Sequence, residues 1–287
     1  MTFKILTDST ADLDERWAQE HDVEIVGLSI QIDGTHYETV GPDKLTSPQL
    51  LAEMQKGAKP TTSQVNVGQF QEIFKGYAQR KENLLYIAFS SVLSGTYQSA
   101  IMARDLVLEE YPEAVIEIID PKAAGIGEGY LSMLAVEARD AGKSLDRVKE
   151  ELMEVAPKLR SYFLVDDFYH LMRGGRLSQS SAIVGSLVNR KPLIWIDEEG
   201  KLAPIAKVRG RKKAMREMLS LIQEDIGHST ALVSYTDDLA GAEELKAQLL
   251  ENPAISQVLI MPLGPVIAAH VGPNSLIGFV IGKENRK

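Results

Sequence analysis

Phe3-Lys4-Ile5-Leu6 runs into Thr7-Asp8-Ser9-Thr10, and Leu84-Leu85-Tyr86-Ile87-Ala88-Phe89 runs into Ser90-Ser91-Val92-Leu93-Ser94-Gly95-Thr96. Each is an apolar run of strand length that breaks into hydroxyl and glycine residues ahead of a helical pattern. A third cluster, Pro60-Thr61-Thr62-Ser63-Gln64, opens another helical stretch. Strands alternating with helices in this way imply a largely parallel sheet covered on both faces. In an open α/β sheet, ligands bind beyond the carboxyl ends of the strands, where helix N-termini present free N–H groups. Three hydroxyl clusters at such places point to a pocket for an anionic head group.

Outward from these turns, the first half continues the alternation. Ala11–Glu20 has helical character behind a hydroxyl cap, and Val23–Ile32 is a strand ending at the Asp33-Gly34 turn. Ser47-Pro48 caps a helix that stops at Gly57, and Val67–Arg80 carries Phe70, Ile73, Phe74 and Tyr77 on one stripe. A helix from about Gly95 to Tyr111, a strand at Ala114–Ile119, and helices over Ala123–Ala141 and Ser144–Arg160 complete this half. The second half has another texture. Tyr162–Val165 is a strand, and Pro192–Ile196 and Leu202–Val208 form a hairpin about Asp197–Gly200. Three further strands, Ala231–Tyr235, Val258–Met261 and Ile277–Ile281, mix with helices at Lys212–Glu224 and Leu239–Leu250. The expected architecture is an N-terminal three-layer α/β/α domain with a parallel sheet over residues 1–160. A two-layer α/β domain with a mixed sheet follows over 161–287. At 287 residues the chain exceeds a comfortable single core, which favours two domains on length alone.

Composition narrows the function. The 31 basic against 40 acidic residues leave a net charge of −9, against a nucleic-acid or anionic-membrane surface. An anionic ligand must therefore be captured by local dipoles and a few basic side chains. Without cysteine there is no disulfide, thiolate nucleophile or zinc–thiolate site. The histidines show no metal-ligand spacing, so no metal is expected. No signal peptide and no membrane span is evident, and the expected location is the cytoplasm.

Ser9 and Thr10 read first as caps, because a helix start uses a hydroxyl in that way. The clusters at Thr61-Thr62-Ser63 and Ser90–Thr96 offer more hydroxyls than one cap needs, and Gly95 permits close backbone approach, so ligand contact is the favoured reading there. Arg173-Gly174-Gly175-Arg176 is equally a helix stop and a pair of guanidinium forks able to grip a carboxylate or phosphate. His270 lies between an Ala-rich turn and a Gly-Pro break, where a structural, hydrogen-bonded role is the first expectation. The basic run Lys207–Lys213 is a solvated helix start or a docking patch for a partner. Ser94 lacks the Gly-x-Ser-x-Gly setting of a nucleophile elbow, and no Gly-x-x-x-x-Gly-Lys-Ser/Thr loop for ATP is present. Two rival functions remain: a serine-dependent acyl hydrolase or transferase working through Ser94, and a sensor or transport module for a phosphorylated metabolite.

Taken together, Thr7–Leu13, Pro60–Gln64, Ser90–Ala100, Arg173–Leu177 and Gly264–Pro273 resemble the DegV family. These are the bacterial fatty-acid-binding proteins that serve as the FakB subunit of fatty acid kinase. The resemblance spans the whole chain, with five motifs in the family's order; Pro273-Asn274-Ser275-Leu276 departs from the family's glycine-richer turn. It implies a long-chain fatty acid buried between the two domains and no other cofactor. Thr62 and Ser94 would hold the carboxylate, with Thr61, Ser63 and Gly95 beside them. Arg176 and His270 would face the phosphate and the kinase, Arg173 being a further candidate, and His270 could donate from both ring nitrogens when protonated. The partners implied are a separate ATP-dependent kinase subunit, which makes the acyl phosphate for phospholipid synthesis, and a downstream acyltransferase. The protein itself would not be an enzyme.

Overall fold

The structure, a computed structural model, describes residues 3–166, 168–177 and 191–286. The chain divides into two compact units: Met1–Lys44 with Thr62–Ala156, and Leu45–Thr61 with Pro157–Lys287. The sequence reading divides it once, near residue 160.

Strand β1 (Lys4–Asp8) is buried along almost its whole length, as a central parallel strand must be. The helix expected from Ala11 is divided. Ser9–Ala11 forms a 3₁₀ turn, Asp12 takes a left-handed φ of 54°, and α1 (Glu15–Glu20) begins only where Asp14 accepts the Trp17 N–H at 2.9 Å. The strand expected over Val23–Ile32 is likewise two, β2 (Val23–Val26) and β3 (Ser29–Ile32). They part at Gly27, where a Cβ would lie 2.7 Å from Val40 Cγ2. β3 turns through Asp33 and Gly34, at φ 49° and 87°, into antiparallel β4 (Thr35–Glu38). α2 (Ser47–Gln55) starts with a Thr46/Gln49 capping box and Pro48, and β5 (Thr61–Ser63) joins β3 to complete a three-stranded sheet.

The stripe over Val67–Arg80 is α3 (Val67–Arg80), which buries Phe70, Phe74 and Tyr77. β6 (Leu84–Ile87), α4 (Thr96–Glu110), β7 (Ile116–Ile119), α5 (Ile126–Asp140) and α6 (Leu145–Val155) follow. The last helix is shorter than predicted. Pro157 has no N–H to continue the ladder, Ala156–Lys158 is a 3₁₀ turn, and Leu159-Arg160 already belong to the next strand. The main sheet of this unit has the order β2-β1-β6-β7, with every pairing parallel.

The second unit, to which α2 also belongs, continues with β8 (Leu159–Leu164) and the short α7 (Tyr169–Arg173). β9 (Lys191–Ile196) and β10 (Leu202–Val208) are the predicted hairpin, and α8 (Arg211–Gln223), β11 (Thr230–Tyr235), α9 (Leu239–Leu250) and β12 (Gln257–Pro262) come next. The Ala-rich stretch expected to be a turn is a helix, α10 (Pro265–Val271), with Gly264 at its N-cap and Pro265 in its first turn. β13 (Leu276–Ile281) completes a mixed sheet of order β10-β9-β8-β13-β11-β12, in which only the β11–β12 pairing is parallel. One face packs Tyr162, Leu164, Val233, Leu276 and Val280 against Met218 and Ile222 of α8 and Leu245 of α9. Alternation sends Phe163, Ile194, Leu232, Ile277 and Phe279 to the other face, and all are buried. The Phe163 and Phe279 rings meet there edge to face, their centroids 6.5 Å apart.

Candidate functional site

In the parallel sheet, β1 leads outward to β2 on one side and β6 to β7 on the other, so the strand order reverses between β1 and β6. Such a switch point is where an open sheet receives its ligand. The two hydroxyl segments that follow β1 and β6 meet different fates. Ser9 Oγ accepts the Leu28 N–H at 3.0 Å, and Thr10 donates its N–H to Asp8 Oδ1 at 3.0 Å. The capping reading of these two residues is corrected: Asp8 caps the 3₁₀ turn and Asp14 caps α1, while Ser9 Oγ serves the distant Leu28 N–H and the Thr10 hydroxyl lies between Asp8 and Glu128.

After β6 the chain makes a single tight turn. Ser90 donates its N–H to Ala123 O at 3.0 Å, and the N–H groups of Leu93 and Ser94 return to Ser90 O at 3.0 and 3.1 Å. Asp120, just past β7, accepts the Ser91 N–H at 3.2 Å and its hydroxyl at 2.5 Å. The turn presents Ser94, half-buried, ahead of α4. Its Oγ accepts the Thr96 N–H at 3.2 Å and lies 2.9 Å from Thr96 Oγ1. These are its hydrogen bonds among the described residues, so no general base stands beside it there. Nucleophilic use of Ser94 would need one.

Gly95 lies close under the Gln64 side chain. A Cβ there would lie 2.1 Å from Gln64 Oε1, and Gln64 donates through Nε2 to Ser99 Oγ at 2.8 Å. The Gln64 amide therefore lies across the first turn of α4 and ties the residue after β5 to it. Along β5 the alternation is exposed, half-buried, exposed, so Thr62 points to the opposite side from Thr61 and Ser63. Gln64, Ser99 and Asp120 are site-building residues that the sequence reading did not assign. The Pro60–Gln64 motif contains Gln64, but a glutamine in a loop carries no periodic signal.

In the second unit the two C-terminal motifs interlock. A Cβ on Gly174 would lie 2.3 Å from His270 Nδ1, and one on Gly272 (φ 78°) would lie 2.4 Å from His170 Cδ2. Each histidine ring thus packs on the glycine that ends the other's helix, holding the ends of α7 and α10 together. Arg173 donates to Pro60 O at 2.6 Å and Ala269 O at 3.3 Å, which makes it a tie between segments. Arg176 is half-buried, donates to Gly174 O at 2.6 Å, and burial alone pulls its guanidinium below the ordinary value. Burial, with Arg176, Arg173 and His170 nearby, lowers His270 to about 3. At neutral pH the imidazole is therefore neutral and offers one donor and one acceptor, not the two donors it has when protonated. Among the described residues no group of three or more His, Asp or Glu could hold a metal ion, and no helix is long and apolar enough to cross a membrane.

A parallel sheet with a switch point and a mixed sheet with helices on one face define a two-unit α/β protein. The chain belongs to the DegV family, whose sequence model, described as uncharacterised protein, DegV family, matches residues 2–283. A DegV domain-containing protein of Streptococcus pyogenes serotype M1 is 60% identical over 286 residues, covering 100% of both chains. Among solved structures, a DegV family protein from Thermus thermophilus, described for its fatty acid binding, is 29% identical, covering 98% of this chain and 100% of its own at a TM-score of 0.89. A stearic-acid-binding protein from Eubacterium ventriosum is 26% identical and covers 97% of this chain and 98% of its own, with a TM-score of 0.86.

Proposed function

We propose that this protein binds a long-chain fatty acid, holds its carboxylate with Thr62 and Ser94, and presents it to a separate ATP-dependent kinase that forms the acyl phosphate for phospholipid synthesis. The observation that carries the reading is the hydroxyl turn after β6, at the switch point of a fold whose solved members from T. thermophilus and E. ventriosum are described as fatty-acid-binding. Thr61, Ser63 and Gly95 flank that head-group site, and Arg176 with His270 forms the phosphate- and kinase-facing group. The cytoplasm, where such a kinase meets its ATP, is the location that fits.

The energetics divide the work. Burying hydrocarbon contributes roughly 0.8 kcal/mol per CH₂, on the order of 10 kcal/mol gross for a long acyl chain. Hydrogen bonds to a charged group add about 1.5–3 kcal/mol net each. The tail sets affinity, and the hydroxyls set orientation and reject ligands that are not acids. Lipid extraction of protein purified from a bacterial host is expected to yield about one fatty acid per chain, identified by mass spectrometry. A sugar phosphate or nucleotide in its place would overturn the reading, and turnover of an acyl ester by Ser94 would favour a hydrolase instead.

Ser94→Ala and Thr62→Ala each remove a donor from a desolvated carboxylate. Each is expected to weaken binding of the acid by about 1–3 kcal/mol and to leave binding of the matching alcohol nearly unchanged. Calorimetric titration of delipidated protein with both ligands checks this, and acid binding equal to wild type in both variants would rule the assignment out.

A further inference from the structure

Beneath the head-group turn lie two fully buried carboxyls, Asp8 at the end of β1 and Glu128 in the first turn of α5. No basic side chain hydrogen-bonds either of them among the described residues. Asp8 accepts four donors: the Thr10 N–H at 3.0 Å, the Thr10 hydroxyl, the Tyr86 hydroxyl at 2.8 Å and the Phe89 N–H at 3.3 Å. That is a full complement for an ionised carboxylate. Glu128 meets only two hydroxyls, Thr7 Oγ1 at 2.9 Å from Oε1 and Thr10 Oγ1 at 3.0 Å from Oε2.

The protons do not suffice for two carboxylates. Thr10 has one hydroxyl hydrogen and faces a carboxyl oxygen on either side. Thr7 also has one, and it lies 3.1 Å from Ile87 O as well, an atom that can only accept. Two hydroxyl hydrogens therefore confront four acceptor oxygens. A hydrogen on Glu128 Oε2 resolves the middle of the chain: Glu128 donates to Thr10, Thr10 donates to Asp8, and Thr7 serves Glu128 Oε1 and Ile87 O. Like charges this close and this far from water cannot both ionise.

We propose that Asp8 and Glu128 share one proton, resident on Glu128, and that this pair is the positioning group for the head-group turn. Asp8 grips the Phe89 N–H, one residue before Ser90 opens that turn, and Thr7 grips Ile87 O two residues earlier. The pair thus fixes the exit of β6 from which Ser94 is presented. The identity of that turn as the head-group site rests on the fatty-acid reading above; the shared proton does not. Desolvation raises Glu128 well above the usual carboxylate range, with Asp8 and Asp12 adding to it, and burial raises Asp8 as well. Tyr86 completes the set of titratable groups and is itself pushed up by burial and by both acids.

The sign of the pH dependence follows. The folded protein binds a proton at Glu128 that the unfolded chain releases near pH 4.3. Stability contributed by the pair is complete below that pH and is lost as pH rises toward Glu128's raised value, roughly tenfold in the folding equilibrium constant per pH unit. Glu128→Gln supplies a permanent donor and acceptor in the same places. It is expected to remove this slope from urea denaturation curves measured at several pH values, and to retain bound fatty acid. Asp8→Asn turns an amide donor toward groups that must donate. It is expected to speed amide hydrogen exchange at Phe89–Ser94 by at least tenfold and to lower the fatty-acid content of the purified protein.

Carboxyl-carbon magnetic resonance reads the proton directly, and Glu128 is expected to remain in the acid form at pH 7. An ionised Glu128, parallel pH curves for wild type and Glu128→Gln, or unchanged exchange in Asp8→Asn overturns the proposal. Separated curves and faster exchange in a protein that carries no fatty acid would uphold the proton-holding pair and sink the ligand reading alone.

Discussion

Gly129→Ala is expected to destabilise the first unit by about 2–3 kcal/mol, although alanine at a helix interior ordinarily gains about 1 kcal/mol over glycine. Gly129 lies in the first turns of α5, and a Cβ there would sit 2.3 Å from the backbone carbonyl oxygen of Ala11. Real Cβ atoms do not approach so closely, and the obstacle is main chain held in the 3₁₀ turn Ser9–Ala11, so the helix must move away. That movement also draws the neighbouring Glu128 from Thr7 and Thr10. The loss therefore joins overpacking to a broken buried polar network, two of the mechanisms behind large single-site effects. Urea denaturation of Gly129→Ala beside Gly142→Ser gives the check. Gly142 is a surface turn glycine with open space around it, whose change carries only the cost of its positive φ of 87°. A Gly129→Ala protein as stable as wild type would show that α5 tolerates withdrawal from the turn.

This glycine marks the limit of what the sequence discloses. Where an element is organised by its own neighbours, its bounds are legible. Val67–Arg80 is read from one apolar stripe, and the structure returns the same helix. Asp33-Gly34 supplies both positive-φ residues of a hairpin turn and is found there. The alternation of strand and helix likewise identifies the parallel sheet, and the hairpin at Asp197–Gly200 the mixed one. What fails to show is contact between distant segments. Gly129 against Ala11, Gln64 across Gly95 and His270 on Gly174 join residues 118, 31 and 96 positions apart, from 129 − 11, 95 − 64 and 270 − 174. None leaves a periodic trace. The same holds for Leu45–Thr61, which groups with Pro157–Lys287: Ser47 Oγ donates to Leu263 O, 216 residues on. Glu128 is hidden differently. A lone acid in a helix reads as a solvated face, and only burial at 0% beside Asp8 reveals its role. The candidate site was therefore visible as a set of hydroxyl and basic motifs, while the groups that hold those motifs in place were not.

Under the function proposed above, Arg176→Ala is expected to retain the fatty acid while phosphorylation by the kinase falls about 100-fold or more. Transfer of a phosphoryl group to the bound carboxylate adds negative charge that the hydroxyls of Thr62 and Ser94 cannot neutralise. A planar guanidinium fork matches phosphate oxygens, and preorganised charge of this kind is commonly worth factors of about 10²–10³ in rate. Of the two arginines in the motif, Arg173 is tied to Pro60 O and Ala269 O, and Arg176 donates to Gly174 O. Arg176→Lys, which keeps the charge without the fork, is expected to recover only part of the rate. His270→Ala is expected to show the same split, for a different reason. With its pKa lowered to about 3, the ring would enter the proposed reaction neutral, with one hydrogen bond to donate. Its folding linkage has a sign opposite to that of Glu128. A histidine depressed in the folded state contributes stability above its ordinary 6.5 and loses it as pH falls from there toward about 3. His270→Ala should flatten the acid side of the stability curve, and Glu128→Gln the side above pH 4.3. Ligand content and kinase-coupled turnover measured on the same samples decide the assignment. Normal turnover in both Arg176→Ala and His270→Ala would remove these residues from the reaction, and loss of the fatty acid along with turnover would return them to the binding site proper.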